Sequence, residues 1–206
     1  MRSAVDFCKW AALAYSEVPI IGAEDSAARV VEINDEIGLV LAIPGTNNAE
    51  CIKADIDAEL LHTDDCGSVH SGIWQAFMHV VPQVNALEGV VALTGHSEGG
   101  GGAIMLGAVL CLAGKPPKAI YAFEPPRMSI DDTLAKLFEK HGVKVYIYHH
   151  GRDIVPMLPP PIIFENWQHC APVIQFGGSA LPIYNITDHE MSRILKDLRP
   201  DMQPYS

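Results

Sequence analysis

The apolar positions of this chain fall into two alternating kinds of segment. Short, nearly continuous runs recur as "RVVEI" from Arg29, "IGLVLAIPG" from Ile37, "VVALTG" from Val90, "KAIYAFEP" from Lys118, "KVYIYHH" from Lys144 and "PVIQFG" from Pro172. Their length and their β-branched and aromatic content predict strands. Between several of them the apolar residues recur at helical spacing. Ile73, Phe77, Val80, Val81 and Val84 share one helix face, as do Ile104, Leu106, Val109, Leu110 and Ala113, and then Leu134, Leu137 and Phe138. The opening "MRSAVDFCKWAALAYS" predicts an amphipathic first helix. Strands apolar on both sides that alternate with helices predict an α/β domain, with a mostly parallel sheet covered on both faces.

One junction departs from ordinary loop chemistry. In "VVALTGHSEGGGGA" a strand runs straight into a serine fenced by glycines, and apolar residues at helical spacing resume at once. Gly95-His96-Ser97-Glu98-Gly99 fits the G-x-S-x-G elbow, in which a sharp strand-to-helix turn leaves the serine at its apex. Strand and helix pass so close there that side chains at Gly95 and Gly99 would clash. A serine hydroxyl is a weak nucleophile at neutral pH and needs a base, which needs an orienting acid. On this kind of sheet the chain order is Ser, Asp or Glu, then His. Asp153 lies in the loop just past "KVYIYHH", and His189 stands at the start of a helix in "YNITDHEMSRILKDL". Glu124, closing the strand in "YAFEPPR", is the rival acid. His149 and His150 precede the acid at a strand end and His169 sits in a Pro-rich loop, so these read as structural or loop residues. Donors for a developing oxyanion are expected from the backbone N–H of Glu98 and from Thr46 in "IPGTNN". Trp74, Leu158, Ile162, Ile163 and Phe164 are candidates for the wall of an acyl pocket. The Glu98 carboxylate falls on the first turn of a helix, where the macrodipole favours an acid.

Composition narrows the function further. With 206 residues, 49% of them hydrophobic, the chain suits one globular domain spanning residues 1–206. A net charge of −11 leaves no basic footprint for nucleic acid and disfavours anionic membrane surfaces. No apolar run approaches the roughly 20 residues of a membrane span, and the run from Trp10 to Tyr15 is short for a signal-peptide core, so a soluble cytoplasmic protein is expected. Cys8, Cys51, Cys66, Cys111 and Cys170 have no CxxC spacing and read as buried free thiols. No metal or organic cofactor is implied. Metal binding by His149, His150, Asp153 and His169 is disfavoured, because adjacent strand residues point to opposite faces.

At this point the residues resemble a known family, the class 3 lipases of the α/β-hydrolase fold. "LVLAIPGTNN" is similar to the family's oxyanion strand and loop, "GSVHSGIWQAF" to its V-H-x-G-F-x-x-A segment, and "ALTGHSEGGGGA" to its G-H-S-x-G-G elbow. "IYAFEPPRM" resembles the strand that usually reads F-G-x-P-R, "GRDIVPMLPP" the D-x-V-P-x-L-P acid loop, and "DHEMSRIL" the histidine helix. The resemblance runs from about Leu39 to Leu195 and implies a Ser97, Asp153 and His189 triad with Thr46 and Glu98 as the oxyanion hole. It implies a serine esterase or lipase acting on an ester substrate. A thioesterase or acyltransferase would use the same residues, and a silent binding protein could keep the fold. The chain departs from the family at Glu98, where Leu is usual, and at Glu124, where Gly is usual. Between Asn48 and His70 the sequence is acidic and has no long apolar lid, so short to medium acyl esters are expected.

Overall fold

The six apolar runs form one sheet in a computed structural model, which describes residues 2–23, 26, 28–46, 59–161 and 166–202. β1 (Val31–Asp35) pairs antiparallel with β2 (Gly38–Ile43). β3 (Leu60–Thr63) and β4 (Gly67–His70) make a separate hairpin. From β2 the main sheet continues in parallel through β5 (Val90–His96), β6 (Ala119–Phe123), β7 (Lys144–His150) and β8 (Val173–Phe176). Parallel strands end on the same edge, so the loops after β2, β5, β6 and β7 open together. That edge is where α/β sheets hold their ligands.

Alternation along the strands supplies two cores. Leu41, Ile43, Leu93, Ile120, Ala122 and Ile147 face one way. They pack against α2 (Ser71–Met78), α3 (Val81–Ala86), α4 (Glu98–Leu112) and α5 (Thr133–Lys140). Val40, Ala92, Tyr121, Phe123 and Tyr148 face the other way, onto α1 (Ala4–Leu13) and α6 (Met191–Asp197). The Phe7 and Tyr121 rings stack there with centroids 3.7 Å apart. Helices thus cover both faces, as the apolar runs predict. α4 is the central helix: Gly99 to Ala108 are all buried, which explains why its apolar residues do not confine themselves to one stripe.

Two details differ from the sequence reading. The face from Ile73 to Val84 belongs to two helices, because Pro82 lacks the N–H that would continue α2 and instead opens α3. The β3–β4 hairpin is absent from the predicted strands. Its strands are short, but the turn carries a signal in "DDCG", where Gly67 takes φ +73°.

Candidate active site

Ser97 stands between β5 and α4 with φ 59° and ψ −131°, a region that a non-glycine residue enters only when its surroundings hold it there, at about 1–3 kcal/mol. The sequence around it is built for that turn. A Cβ on Gly95 would strike the Gly99 carbonyl, and one on Gly99 would strike the carbonyls of Ile43 and Pro44. Ser97 N–H donates to the Phe123 carbonyl at 2.9 Å, which pins the elbow to β6. The residue is 1% exposed and its Oγ has no hydrogen-bond partner among the described residues.

Asp153 follows β7 and is fully buried. Its Oδ1 accepts the Val155 N–H at 3.0 Å and its Oδ2 accepts His189 Nδ1–H at 2.5 Å. That contact fixes the tautomer: Nδ1 carries the proton, and Nε2 keeps its lone pair. Nε2 is buried and has no partner among the described residues. His189 lies in a 3-10 turn (Thr187–His189) just ahead of α6, one step before the helix that the sequence places it on. Its neighbour Asp188 anchors this turn. Burial alone would raise the Asp188 carboxyl, but hydrogen bonds from Ser179, the Arg152 and Ala180 N–H groups and Asn185 outweigh it and hold the group well below the usual carboxylate range.

Tyr15 and Gly45 have no role in the sequence reading, yet they join the three loops. The His189 carbonyl can only accept, so His96 Nε2 must donate to it, at 3.0 Å. His96 Nδ1 is then the acceptor for the Tyr15 hydroxyl at 2.7 Å, and the Tyr15 oxygen accepts Gly45 N–H at 3.0 Å. The chain connects the loop after β2, the residue before Ser97 and the backbone of His189. It requires neutral His96, and complete burial, followed by the neighbouring His189, pushes the His96 ring well below its ordinary value. Burial likewise raises the Tyr15 phenol to about 12, so it stays a donor.

Thr46 follows Gly45 in that loop. A Cβ on Gly45 would lie 2.8 Å from Ser97 Cβ and 2.8 Å from the His96 carbonyl, so the loop runs directly beside the elbow. Thr46 Oγ1 is buried without a partner among the described residues. Glu98 is half-buried at the first position of α4, where helix geometry leaves the backbone N–H without an acceptor inside the helix. Serine, base, acid and two loops of donor groups therefore meet at one sheet edge, a set that can add a nucleophile to a carbonyl and shuttle its proton.

The other candidates divide. Trp74 belongs to the main core and is 6% exposed, while Leu158 is half-buried, its carbonyl accepting Arg127 N–H. Ile162, Ile163 and Phe164 lie outside the described residues, as does Cys51; Cys8, Cys66, Cys111 and Cys170 are free and buried. His149 Nε2 bonds to the Asp153 carbonyl, His150 engages the Asp188 carbonyl and Asp197, and His169 bonds to the Pro156 carbonyl. No group of three metal-ligating side chains gathers among the described residues, and no described helix is long and apolar enough to cross a membrane. Glu124 is buried beside Asp153 with φ 51°, so both acids considered from sequence occupy this corner, and only Asp153 holds the His189 ring.

The model of the class 3 lipase family matches residues 40–162. No curated protein matches the chain. Among solved structures, the lipase from Rhizopus microsporus var. chinensis superposes with a TM-score of 0.69 at 20% identity, covering 90% of this chain and 84% of that one. Lipase II from Rhizopus niveus gives 0.64 at 21% identity, with 90% and 92% covered. The Rhizomucor miehei lipase propeptide complex gives 0.69 at 16% identity, with 92% and 79% covered. These likenesses carry the α/β-hydrolase fold, and the family match extends over more than half of the chain and includes the elbow and the acid loop. The chain belongs to the class 3 lipase family and is a carboxylic ester hydrolase.

Proposed function

We propose that this ester hydrolase works through a covalent acyl-enzyme on Ser97. Ser97 Oγ attacks the ester carbonyl carbon while His189 Nε2 takes its proton. Asp153 holds the ring and stabilises the imidazolium. The oxyanion accepts hydrogen bonds from the N–H of Glu98 and from Thr46. His189 then returns the proton to the departing alkoxide as the C–O bond breaks, and water, deprotonated by the same nitrogen, releases the acid and restores the Ser97 hydroxyl. The observation that carries this reading is the short Asp153–His189 contact, which leaves Nε2 as a lone-pair base, on a residue whose backbone carbonyl is bonded to His96, the neighbour of Ser97.

The substrates are esters of short to medium acyl chains. The stretch from Glu50 to Asp65 carries Glu50, Asp55, Asp57, Glu59, Asp64 and Asp65, a composition unsuited to a long apolar lid over an oil surface. The loop gathered by Asp188 presents Leu181, Ile183 and Tyr184 to solvent beside the acid loop, where they offer apolar contact to one arm of an ester. Turnover of p-nitrophenyl acetate, butyrate and octanoate by the wild type, Ser97→Ala and His189→Ala tests the assignment. Each variant is expected to lose at least about a thousandfold in kcat while keeping its fold. More than a few per cent residual turnover in Ser97→Ala would move the nucleophile elsewhere. A sharp rise in rate once a triglyceride passes its solubility limit would overturn the short-chain preference.

A further inference from the structure

Glu124 is where this chain departs from the family strand that usually reads F-G-x-P-R, and its surroundings are unusual for an acid. It is 0% exposed, and its backbone keeps the φ of 51° that suits the glycine it replaces. Its Oε1 accepts the His150 N–H at 2.6 Å, and its Oε2 has no donor among the described residues. Its carboxyl lies within hydrogen-bonding reach of the Asp153 carboxyl.

Two carboxyls buried side by side cannot both be ionised without a cation between them, and no Lys or Arg forms an ion pair with either one among the described residues. The groups facing Glu124 are the Asp153 and Asp188 carboxyls, the His150 N–H and the Cys8 thiol from α1, with the His189 ring just beyond Asp153. Burial first, and then the Asp153 charge, push the Glu124 carboxyl well above its ordinary value. Of the two acids Asp153 is the one stabilised as an anion, because it accepts the Val155 N–H and His189 Nδ1–H, whereas Glu124 has one backbone donor.

We propose that Glu124 is a neutral carboxylic acid that donates its proton in a hydrogen bond to the Asp153 carboxylate and thereby holds the triad acid in place. It touches no substrate and acts through Asp153, so it is a positioning residue. A glycine here would leave Asp153 with two donors; the carboxylic acid supplies a third and adds no charge. The inference rests on the proposed triad.

The test has two readouts. In protein carrying 13C-labelled glutamate, the Glu124 carboxyl resonance, identified by its loss in Glu124→Gln, is expected to stay at its protonated position through neutral pH. An ionised resonance at pH 7 would overturn the proposal, whatever the variants do. In kinetics, Glu124→Gln keeps a donor and no charge, so kcat/KM should stay within about threefold of wild type and the acid limb of its pH profile should not move. Glu124→Gly suits the backbone but removes the donor. It should lower kcat at least tenfold with little change in KM, and should move the acid limb to higher pH, as an Asp153 carboxylate with one donor fewer binds the protonated base more strongly. Were Glu124 ionised, Glu124→Gln would remove a negative charge near the base and shift the acid limb down by about one unit or more, overturning the proposal. Full activity in Glu124→Gly would also overturn it. The resonance needs no turnover, and Ser97→Ala separately tests the triad, so failure of this inference and failure of the hydrolase mechanism are distinguishable.

Discussion

In the proposed mechanism Glu98 carries on one residue an N–H that donates to the oxyanion and a carboxylate that would oppose it. As the first residue of α4, its charge is favoured by the helix dipole by about 0.3–1 kcal/mol. With the carboxylate turned from the reacting carbonyl, Glu98→Gln should change kcat/KM by less than about tenfold, a barrier change below about 1.4 kcal/mol, on acetate, butyrate and octanoate esters alike. A gain confined to octanoate in Glu98→Leu would instead place the carboxylate in the acyl pocket. At the same scale, Tyr15→Phe removes the hydroxyl that joins His96 to Gly45 and takes a partner from each of two buried groups. Urea unfolding should show a loss of about 1–3 kcal/mol, and kcat should fall more than KM rises. The places of Ser97, Asp153 and His189 in the fold were legible in the sequence, because each sits at a strand end or just ahead of a helix. Tyr15 was not, because its partner lies 81 residues away and no local pattern marks a phenol that bonds across such a distance.

At the scale of elements, the glycines after the elbow decide how closely α2 can approach α4. Gly in a helix costs about 1 kcal/mol relative to Ala, so a run from Gly99 to Gly102 needs a packing reason. Gly102 has one: a Cβ there would collide with the Phe77 ring, and one on Gly101 would sit 2.8 Å from Ile73 Cδ1. Gly102→Ala should therefore destabilise by about 1–3 kcal/mol despite its better propensity, and Phe77→Leu in the same chain should recover part of that loss in a double-mutant cycle. Independent, additive effects of the two substitutions would contradict this contact. The six sheet strands were readable because apolar runs buried on both faces have few alternatives. Periodicity carried one face across the α2–α3 break, which only Pro82 marks, and β3 and β4 are too short to show a period of their own.

Across the whole molecule, buried histidines tie stability to pH. Burial holds His96 well below its ordinary value and His169 at about 4, with His149 lowered as well. The unfolded chain takes up protons near pH 6.5 that the folded chain refuses, so their contribution is complete above that pH and is lost as pH falls toward 4, at up to about 1.4 kcal/mol per unit for each fully buried ring. Thermal unfolding should show Tm falling between pH 6.5 and 5. Glu124 has the opposite sign: raised in the folded state, it is favourable below its unfolded value near 4.5 and costs stability as pH rises from there, so Glu124→Gln should raise Tm at pH 8 more than at pH 5. In the proposed mechanism this sheet edge activates Ser97 for covalent chemistry. The most direct measurement is intact-mass and peptide mapping after treatment with a fluorophosphonate. One adduct is expected, on Ser97, and it should be suppressed in the folded His189→Ala variant; a folded wild-type protein that stays unlabelled, or that carries the adduct on another residue, would contradict this mechanism.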